Sequence, residues 1–274
     1  LQAYLDSQRT KKTTIGFVPT MGALHQGHLS LVKASINENT ITVVSIFVNP
    51  TQFGDAKDLI KYPRTLKKDE TLLYTLHDDI IIFAPSANDL YNGNVASKSF
   101  NFGSIANEME GRYRKGHFDG VGTVLELLFD VVKPQNAYSG QKDFQQLQIV
   151  KKLVTLTKQP VNIIGCPIHR EASGLAMSSR NQRLSSVLKA ESAFIFRTLS
   201  EVKKSFSTKS CTQLTHYVED AFKANPYLEL EYFEIANIET LKTVKRRRKG
   251  NKYRAFIAAF AGDVRLIDNV SLNY

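Results

Sequence analysis

The segment Pro19-Thr20-Met21-Gly22-Ala23-Leu24-His25-Gln26-Gly27-His28 places two histidines three residues apart among two glycines. It follows an apolar run of strand length and precedes a helical pattern, so it occupies a strand-to-helix turn. A helix start presents unpaired N–H groups and the positive end of a dipole, a ready site for an anion. Gly22 and Gly27 let a flat ring or a phosphate come close to the backbone. His25 and His28 can face one ligand, or they can be two histidines on a solvated loop. Their place after the first strand of an α/β domain favours nucleotide binding. No Glu or third ligand accompanies them as in His-Glu-x-x-His, so a zinc site is not indicated. The chain contains no Gly-Lys dipeptide and therefore no Walker A loop.

Three further constellations carry polar chemistry. In Phe47-Val48-Asn49-Pro50-Thr51-Gln52-Phe53, the amides of Asn49 and Gln52 can bind hydroxyls and carboxylates without adding charge, or serve as ordinary turn residues. In Gly140-Gln141-Lys142-Asp143-Phe144-Gln145-Gln146, Lys142 can neutralise a phosphate. Asp143 can cap a helix or accept a ribose hydroxyl. In Met177-Ser178-Ser179-Arg180-Asn181, hydroxyls, backbone donors and a guanidinium suit a phosphate, although read alone this is an exposed polar loop.

The elements that must position these groups alternate over the first 170 residues. Strands are expected at 14–18, 42–48, 79–83, 136–139 and 161–166. Helices are expected at 29–37, 65–77, 122–132 and 144–157, with Thr65 as an N-cap. Such alternation specifies an α/β fold with a parallel sheet and helices on both faces, in which ligands bind beyond the carboxyl ends of the strands. After Pro167 the pattern changes to helices at 187–206 and 212–224, then alternating strands at 228–236 and 253–260. That is a smaller α+β unit. The expected division is 1–170 and 171–274, with the boundary in 167–185. Three of the four constellations fall at carboxyl ends of strands and the fourth at the domain junction, and this joint placement gives each its weight.

Composition bounds the partners. Hydrophobic residues make up 42% and charged residues 23%, as in a globular protein rather than a disordered one. No apolar run has the length of a membrane span, and no signal-peptide pattern opens the chain, although Leu1 in place of Met allows for missing residues. Cys166 and Cys211 are too few for a disulfide framework or a cysteine zinc site, which points to a reducing compartment. The net charge is +10, and the run Lys245-Arg246-Arg247-Arg248-Lys249 supplies five of the positive charges. A basic balance favours anionic partners, from nucleotide phosphates to nucleic acid.

Taken together, these segments resemble the pantothenate synthetase (pantoate–β-alanine ligase) family. The similar stretches are 18–32, 43–53, 62–65, 82–86, 110–123, 134–150, 165–184 and 262–269, nearly the whole chain. The Pro-Thr-Met-Gly-x-Leu-His-x-Gly-His and Lys-Asp-x-Gln-Gln strings are the most specific in combination. The resemblance implies a Rossmann-like domain of the nucleotidylyltransferase type and a smaller C-terminal lid domain. It also implies a cytoplasmic homodimer making a coenzyme A precursor. Its substrates would be ATP, (R)-pantoate and β-alanine, with Mg²⁺ carried mainly by the nucleotide phosphates and no protein metal site. By motif, Met21, Gly22, Ala23, Leu24, His25, Gln26, Gly27 and His28 would bind ATP, with His28 as general acid. Gly140, Gln141, Lys142 and Asp143 would contact ATP as well, Lys142 on phosphate and Asp143 toward the ribose. Met177, Ser178, Ser179 and Arg180 would close over the triphosphate, and the backbone of His169 would lie near adenine. Gln52 and Gln146 would hold pantoate, and Asn49 would lie beside the substrates. Gln141, Ser139, Lys115, Leu127 and His169 depart from the family's usual Glu, aromatic, Pro, Lys and apolar residue.

The chemistry implied is adenylation followed by aminolysis. A carboxylate and an amine do not form an amide readily in water, because oxide is a poor leaving group. Attack of pantoate on the α-phosphorus of ATP replaces it with AMP, and the amine of β-alanine then displaces AMP. Neither step needs a protein nucleophile; the protein must position reactants and stabilise phosphate charge. His28, Lys142, Ser178, Ser179 and Arg180 suit that work, and Gly174 is a hinge candidate for the loop carrying the last three. Two alternatives stand beside this reading. One is an adenylyltransferase of the same superfamily acting on another small acid. The other is a nucleic-acid-binding module using 245–249 with Tyr253, although a charge run between strands is usually a solvated loop.

Overall fold

The computed structural model describes residues 1–54 and 56–272. The chain divides into two compact units, which it enters more than once. The first comprises Leu1–Phe102, Tyr113–Gln141 and Gln145–Pro167. The second comprises Gly103–Arg112, Lys142–Phe144 and Ile168–Tyr274, of which the last two residues lie outside those described.

The first unit is built on a parallel sheet of β1 (Ile15–Thr20), β2 (Ile41–Ile46), β3 (Ile81–Phe83), β4 (Asn136–Gly140) and β5 (Asn162–Cys166), in the order β3-β2-β1-β4-β5. Its helices are α1 (Gln2–Gln8), α2 (Gln26–Glu38), α3 (Ala56–Lys61), α4 (Leu66–Tyr74) and α5 (Ala87–Tyr91). To these are added α7 (His117–Val132) and α8 (Phe144–Leu156), while the short α6 (Met109–Tyr113) lies almost wholly in the second unit. The near-continuous apolar run of β2 reflects its place between β1 and β3, where Thr42, Val43, Val44 and Ser45 are all buried. The strand order reverses between β1 and β4, whose registers match Gly16 to Asn136 and Phe17 to Ala137. That reversal is the topological switch point at which open α/β sheets bind ligands. Gly16 is needed for close packing: a Cβ there would lie 2.2 Å from Ser35 Oγ on α2.

Several boundaries differ from those read off the sequence. The helix expected at 122–132 begins at His117 and so takes in Gly120 as well as Gly122. A Cβ on Gly120 would lie 2.3 Å from the Thr51 carbonyl oxygen, so backbone proximity and not helix propensity selects that glycine. Thr65 occupies the N-cap of α4 but makes no capping bond; its hydroxyl donates to Asp69 Oδ1 at 3.2 Å.

The second unit holds an antiparallel sheet of β6 (Leu228–Asn237), β7 (Tyr253–Ala261) and β8 (Val264–Ser271), with α9 (Ser186–Glu191), α10 (Ala193–Ser205) and α11 (Cys211–Lys223). The single helix expected at 187–206 is divided at Ser192, whose hydroxyl donates to the Leu188 carbonyl at 2.6 Å. The third strand was not foreseen, since Arg265, Asp268 and Asn269 disguise its alternation. Leu199 and Val202 of α10 and Leu214, Val218 and Phe222 of α11 pack on Ile235, Ile257 and Leu266 of the sheet. Each such side chain contributes about 1.5–3 kcal/mol by burial. Glu110 of α6 is taken by Arg265 of β8 at 2.7 and 2.9 Å and also accepts from the Tyr232 hydroxyl at 2.9 Å. Residues 245–249 form an exposed part of the β6–β7 connection, with Arg247 5.0 Å over the Phe206 ring. No helix among the described residues is long and apolar enough to cross a membrane.

Candidate active site

In the first unit, the histidine segment leaves β1 at the switch point through two left-handed residues, Gly22 at φ +80° and Ala23 at φ +49°. The turn is held from below. The buried carboxylate of Asp69 on α4, 2% exposed, accepts the Ala23 N–H at 2.9 Å and the Leu24 N–H at 2.8 Å. Thr20 Oγ1 accepts the Gly22 N–H at 3.2 Å and donates to the Ser45 carbonyl of β2 at 2.7 Å. His25 then caps α2. Its Nδ1 accepts the Gly27 N–H at 3.1 Å, while His28 Nδ1 accepts the His25 N–H at 3.3 Å. With both Nδ1 atoms used as acceptors, the hydrogen of each neutral ring lies on Nε2. The rings lie 4.0 Å apart between centroids. Two imidazole donors on the first turn of a helix form an arrangement suited to phosphate oxygens.

The segment leaving β2 is tied to the same turn. Gln52 Nε2 donates to Met21 Sδ at 2.8 Å, and Gln52 Oε1 accepts from Asn49 Nδ2 at 3.2 Å. Asn49, 1% exposed, also donates to the Gly120 carbonyl at 3.2 Å and accepts from the Tyr91 hydroxyl at 2.6 Å and from Thr51. Burial pushes the Tyr91 phenol above its usual pKa, against the opposing effect of its bonds to Thr51 and Asn49. The Asn49 amide is thus spent inside the protein, and it orients Gln52. A cleft of about 210 Å³ opens beside Gln52, bordered also by Phe53, Lys98 and His117. His117 Nδ1 lies 2.9 Å from the Gln52 carbonyl oxygen.

At the end of β4, beside β1 in the sheet, Gly140 faces open space: a Cβ there would meet nothing within 4 Å. Gln141 Nε2 donates to the Gly165 carbonyl of β5 at 3.2 Å, a bond that an ionised carboxylate at this position could not make. Gln146 lies half-buried on α8, and among the described residues its side chain makes no hydrogen bond.

The second unit holds the rest. Lys142 Nζ lies 3.7 Å from Asp143 Oδ2. The carbonyl of His169 accepts the Met177 N–H at 3.1 Å, and Arg170 bridges Ala176, so 170–176 is a small hairpin leading into the serine–arginine turn. Gly174 in it has φ +91°, and a Cβ would lie 2.5 Å from Phe196 Cδ1. Ser178 caps a 3-10 turn, Ser179–Arg183, accepting the Arg180 N–H at 3.3 Å. Buried Asn181 fastens this turn by donating to the Ala176 carbonyl at 3.1 Å and to Glu171 at 3.2 Å.

Within the first unit, then, Met21, His25, His28, Asn49, Gln52 and Gly140 are drawn to one edge of the sheet. Within the second, Lys142, His169 and Met177–Arg180 occupy the turns flanking β8. Asp69, Tyr91, Arg170 and Asn269 were not found from sequence. Each acts through a partner distant along the chain, and no local pattern marks it.

The family model described as pantoate-beta-alanine ligase matches residues 1–271. The pantothenate synthetase of Flavobacterium psychrophilum is 54% identical over 272 residues, covering 99% of this chain and 96% of that protein. That of Bacteroides fragilis is 46% identical over 270 residues, covering 98% and 95%. Among solved structures, pantothenate synthetase from Thermus thermophilus superposes with a TM-score of 0.91 at 37% identity, covering 99% of this chain and 98% of that one. The pantoate-beta-alanine ligase from Francisella tularensis, complexed with beta-gamma ATP and beta-alanine, superposes with a TM-score of 0.81 at 38% identity, covering 99% and 94%.

Proposed function

The chain belongs to the pantoate–β-alanine ligase family and joins pantoate to β-alanine at the expense of ATP, and we propose how its residues divide that work. The observation that carries the assignment of residues is the reversal of strand order between β1 and β4, which sets the Met21–His28 turn and the Gly140–Gln141 turn side by side at the ligand-binding edge of the sheet.

On this reading Met21–His28 and Gly140–Asp143 bind ATP. His28 donates through Nε2 to the phosphates as the α-phosphorus is attacked, and His25, its ring tilted beside it, shares the load. Lys142, Ser178, Ser179 and Arg180 neutralise charge on the departing pyrophosphate. Gln52, oriented by Asn49 and Met21, and Gln146 hold the hydroxyl and carboxylate groups of pantoate, whose carboxylate oxygen attacks in line. The amine of β-alanine then attacks the acyl carbon of the pantoyl adenylate and expels AMP. The backbone of His169 lies beside adenine, and 171–274 acts as the lid of a 1–170 catalytic domain. Among the described residues no group of three or more His, Cys, Asp or Glu side chains is arranged to hold a metal ion. Mg²⁺ would be carried by the phosphate oxygens of the nucleotide, the hard ligands it prefers, and would supply charge neutralisation there. A cytoplasmic homodimer completes the proposal.

The test is release of pyrophosphate and AMP with each acid omitted in turn. Pyrophosphate release that requires pantoate, with AMP release that requires both pantoate and β-alanine, is the expected result. AMP release indifferent to β-alanine would overturn the ligase reading. Light scattering across a range of concentrations tests the dimer.

A further inference from the structure

Neither Lys142 nor the Met177–Arg180 turn lies on a strand of the second unit's sheet, yet both are fastened to one end of β8 by adjacent residues. Asp268, 4% exposed, grips Arg170 through two bonds, Nη1 to Oδ2 at 2.6 Å and Nη2 to Oδ1 at 2.9 Å. Arg170 also donates to the Gly174 carbonyl at 3.0 Å and lies 3.8 Å over the Phe196 ring. Since Arg170 pairs with Ala176, its guanidinium fixes the hairpin from which the serine–arginine turn departs. Asn269, 1% exposed, donates Nδ2 to the Lys142 carbonyl at 2.8 Å. Its Oδ1 accepts from Arg254, which is itself held 4.2 Å over the Phe144 ring. The Asn269 backbone N–H donates to Asp268 Oδ1 at 2.7 Å, which fixes the Asp268 carboxylate against the strand.

Successive side chains of a strand point to opposite faces. One dipeptide at the end of β8 therefore reaches the 170–176 hairpin from one face of the sheet and the Lys142 turn from the other. The residue types are specific to the task. Asn269 must donate to a carbonyl and accept from a guanidinium at once, which Asp cannot do and an apolar residue cannot do at all. Arg170 needs a planar two-oxygen partner that an amide does not offer.

We propose that Asp268 and Asn269, with Arg170, are positioning residues for the ligase reaction: they set Lys142 and the Ser178–Arg180 turn at a fixed separation matched to one polyphosphate. The proposal rests on the assignment of those two elements to ATP made above.

The experiment is a pair of double-mutant cycles read by pyrophosphate release against varied ATP and varied pantoate, with urea unfolding of every variant. Asn269→Ala is expected to lower kcat/KM for ATP by about 10–100-fold, the usual cost of a misplacement near 1 Å, while the KM for pantoate stays put. In a Lys142→Ala background the same substitution should cost nothing further, because the group it positions is gone. Arg170→Lys, which keeps the charge and loses the two-bonded geometry, should behave likewise and be absorbed by Arg180→Ala. It carries the test alone if Asn269→Ala does not fold. Equal losses in both backgrounds, or ATP and pantoate parameters that fall together with stability, would reduce these residues to scaffolding and overturn the proposal. If Lys142→Ala and Arg180→Ala are impaired while Asn269→Ala and Arg170→Lys match the wild type, the positioning role alone fails. If Lys142→Ala and Arg180→Ala themselves keep normal ATP kinetics, the ATP assignment fails first and the proposal falls with it.

Discussion

Removing the Asp69 carboxylate should damage both stability and nucleotide use, and the geometry gives the size of each effect. In Asp69→Ala the N–H groups of Ala23 and Leu24, now bonded at 2.9 and 2.8 Å, lose their acceptor in a buried place. An orphaned buried donor costs about 1–3 kcal/mol, so the pair costs about 2–6 kcal/mol, a large part of a typical domain's stability of about 5–15 kcal/mol. Asp69→Asn keeps one acceptor oxygen and turns an NH₂ toward the other amide, so about half that loss is expected. The carboxylate also holds Gly22 and Ala23 in their left-handed conformations, at φ +80° and +49°, and so orients everything from Gly22 to His28. Loosening that turn by about 1.4 kcal/mol raises the KM for ATP about tenfold. Urea unfolding followed by circular dichroism, with pyrophosphate release measured against ATP and against pantoate, separates the two consequences. Should Asp69→Asn unfold at the wild-type urea concentration and keep its KM for ATP, the amides have found other acceptors and the clamp does not shape the turn.

His28→Ala and Lys142→Ala are each expected to lower kcat by about 10² or more while the fold survives, the usual cost of one donor aimed at developing charge; wild-type turnover in either removes its role. Gln146→Ala should raise the KM for pantoate, and an effect confined to ATP would reassign that amide. Burial is the leading cause that lifts the phenols of Tyr91, Tyr138 and Tyr232 above the usual tyrosine pKa of 10.0. The folded state therefore keeps protons that the unfolded chain loses at about pH 10, so this stability is complete below pH 10 and declines as pH rises from there toward the folded-state values. A urea midpoint that falls above about pH 10, together with an ultraviolet titration in which these phenols ionise only on unfolding, is the expected result; a midpoint flat through that range would refute the linkage.

The four polar constellations were legible because their meaning is local. A strand ends, glycines punctuate the turn, a helix begins, and donors gather where the dipole is positive; all of it follows from neighbours in the chain. Apolar periodicity likewise located the β1, β2, β4 and β5 strands and α2, α8 and α11 to within a few residues. It failed where packing overrode local preference. Gly120 sits inside α7 because the Thr51 backbone leaves no space for a Cβ. Arg265, Asp268 and Asn269 sit inside β8 because partners from distant segments, Glu110, Arg170 and the Lys142 carbonyl, satisfy them. Strand order was equally out of reach, since periodicity marks a strand without saying which one lies beside it. The tertiary structure alone supplied the groups that hold the candidate turns still. Asp69 lies 46 residues from Ala23, Tyr91 lies 42 from Asn49, and Asn269 lies 127 from Lys142. A side chain's type limits which bonds it can make, but its partner is settled only when the sheet brings distant segments within 3 Å, because hydrogen bonding decays over that length and sequence separation carries no information about it.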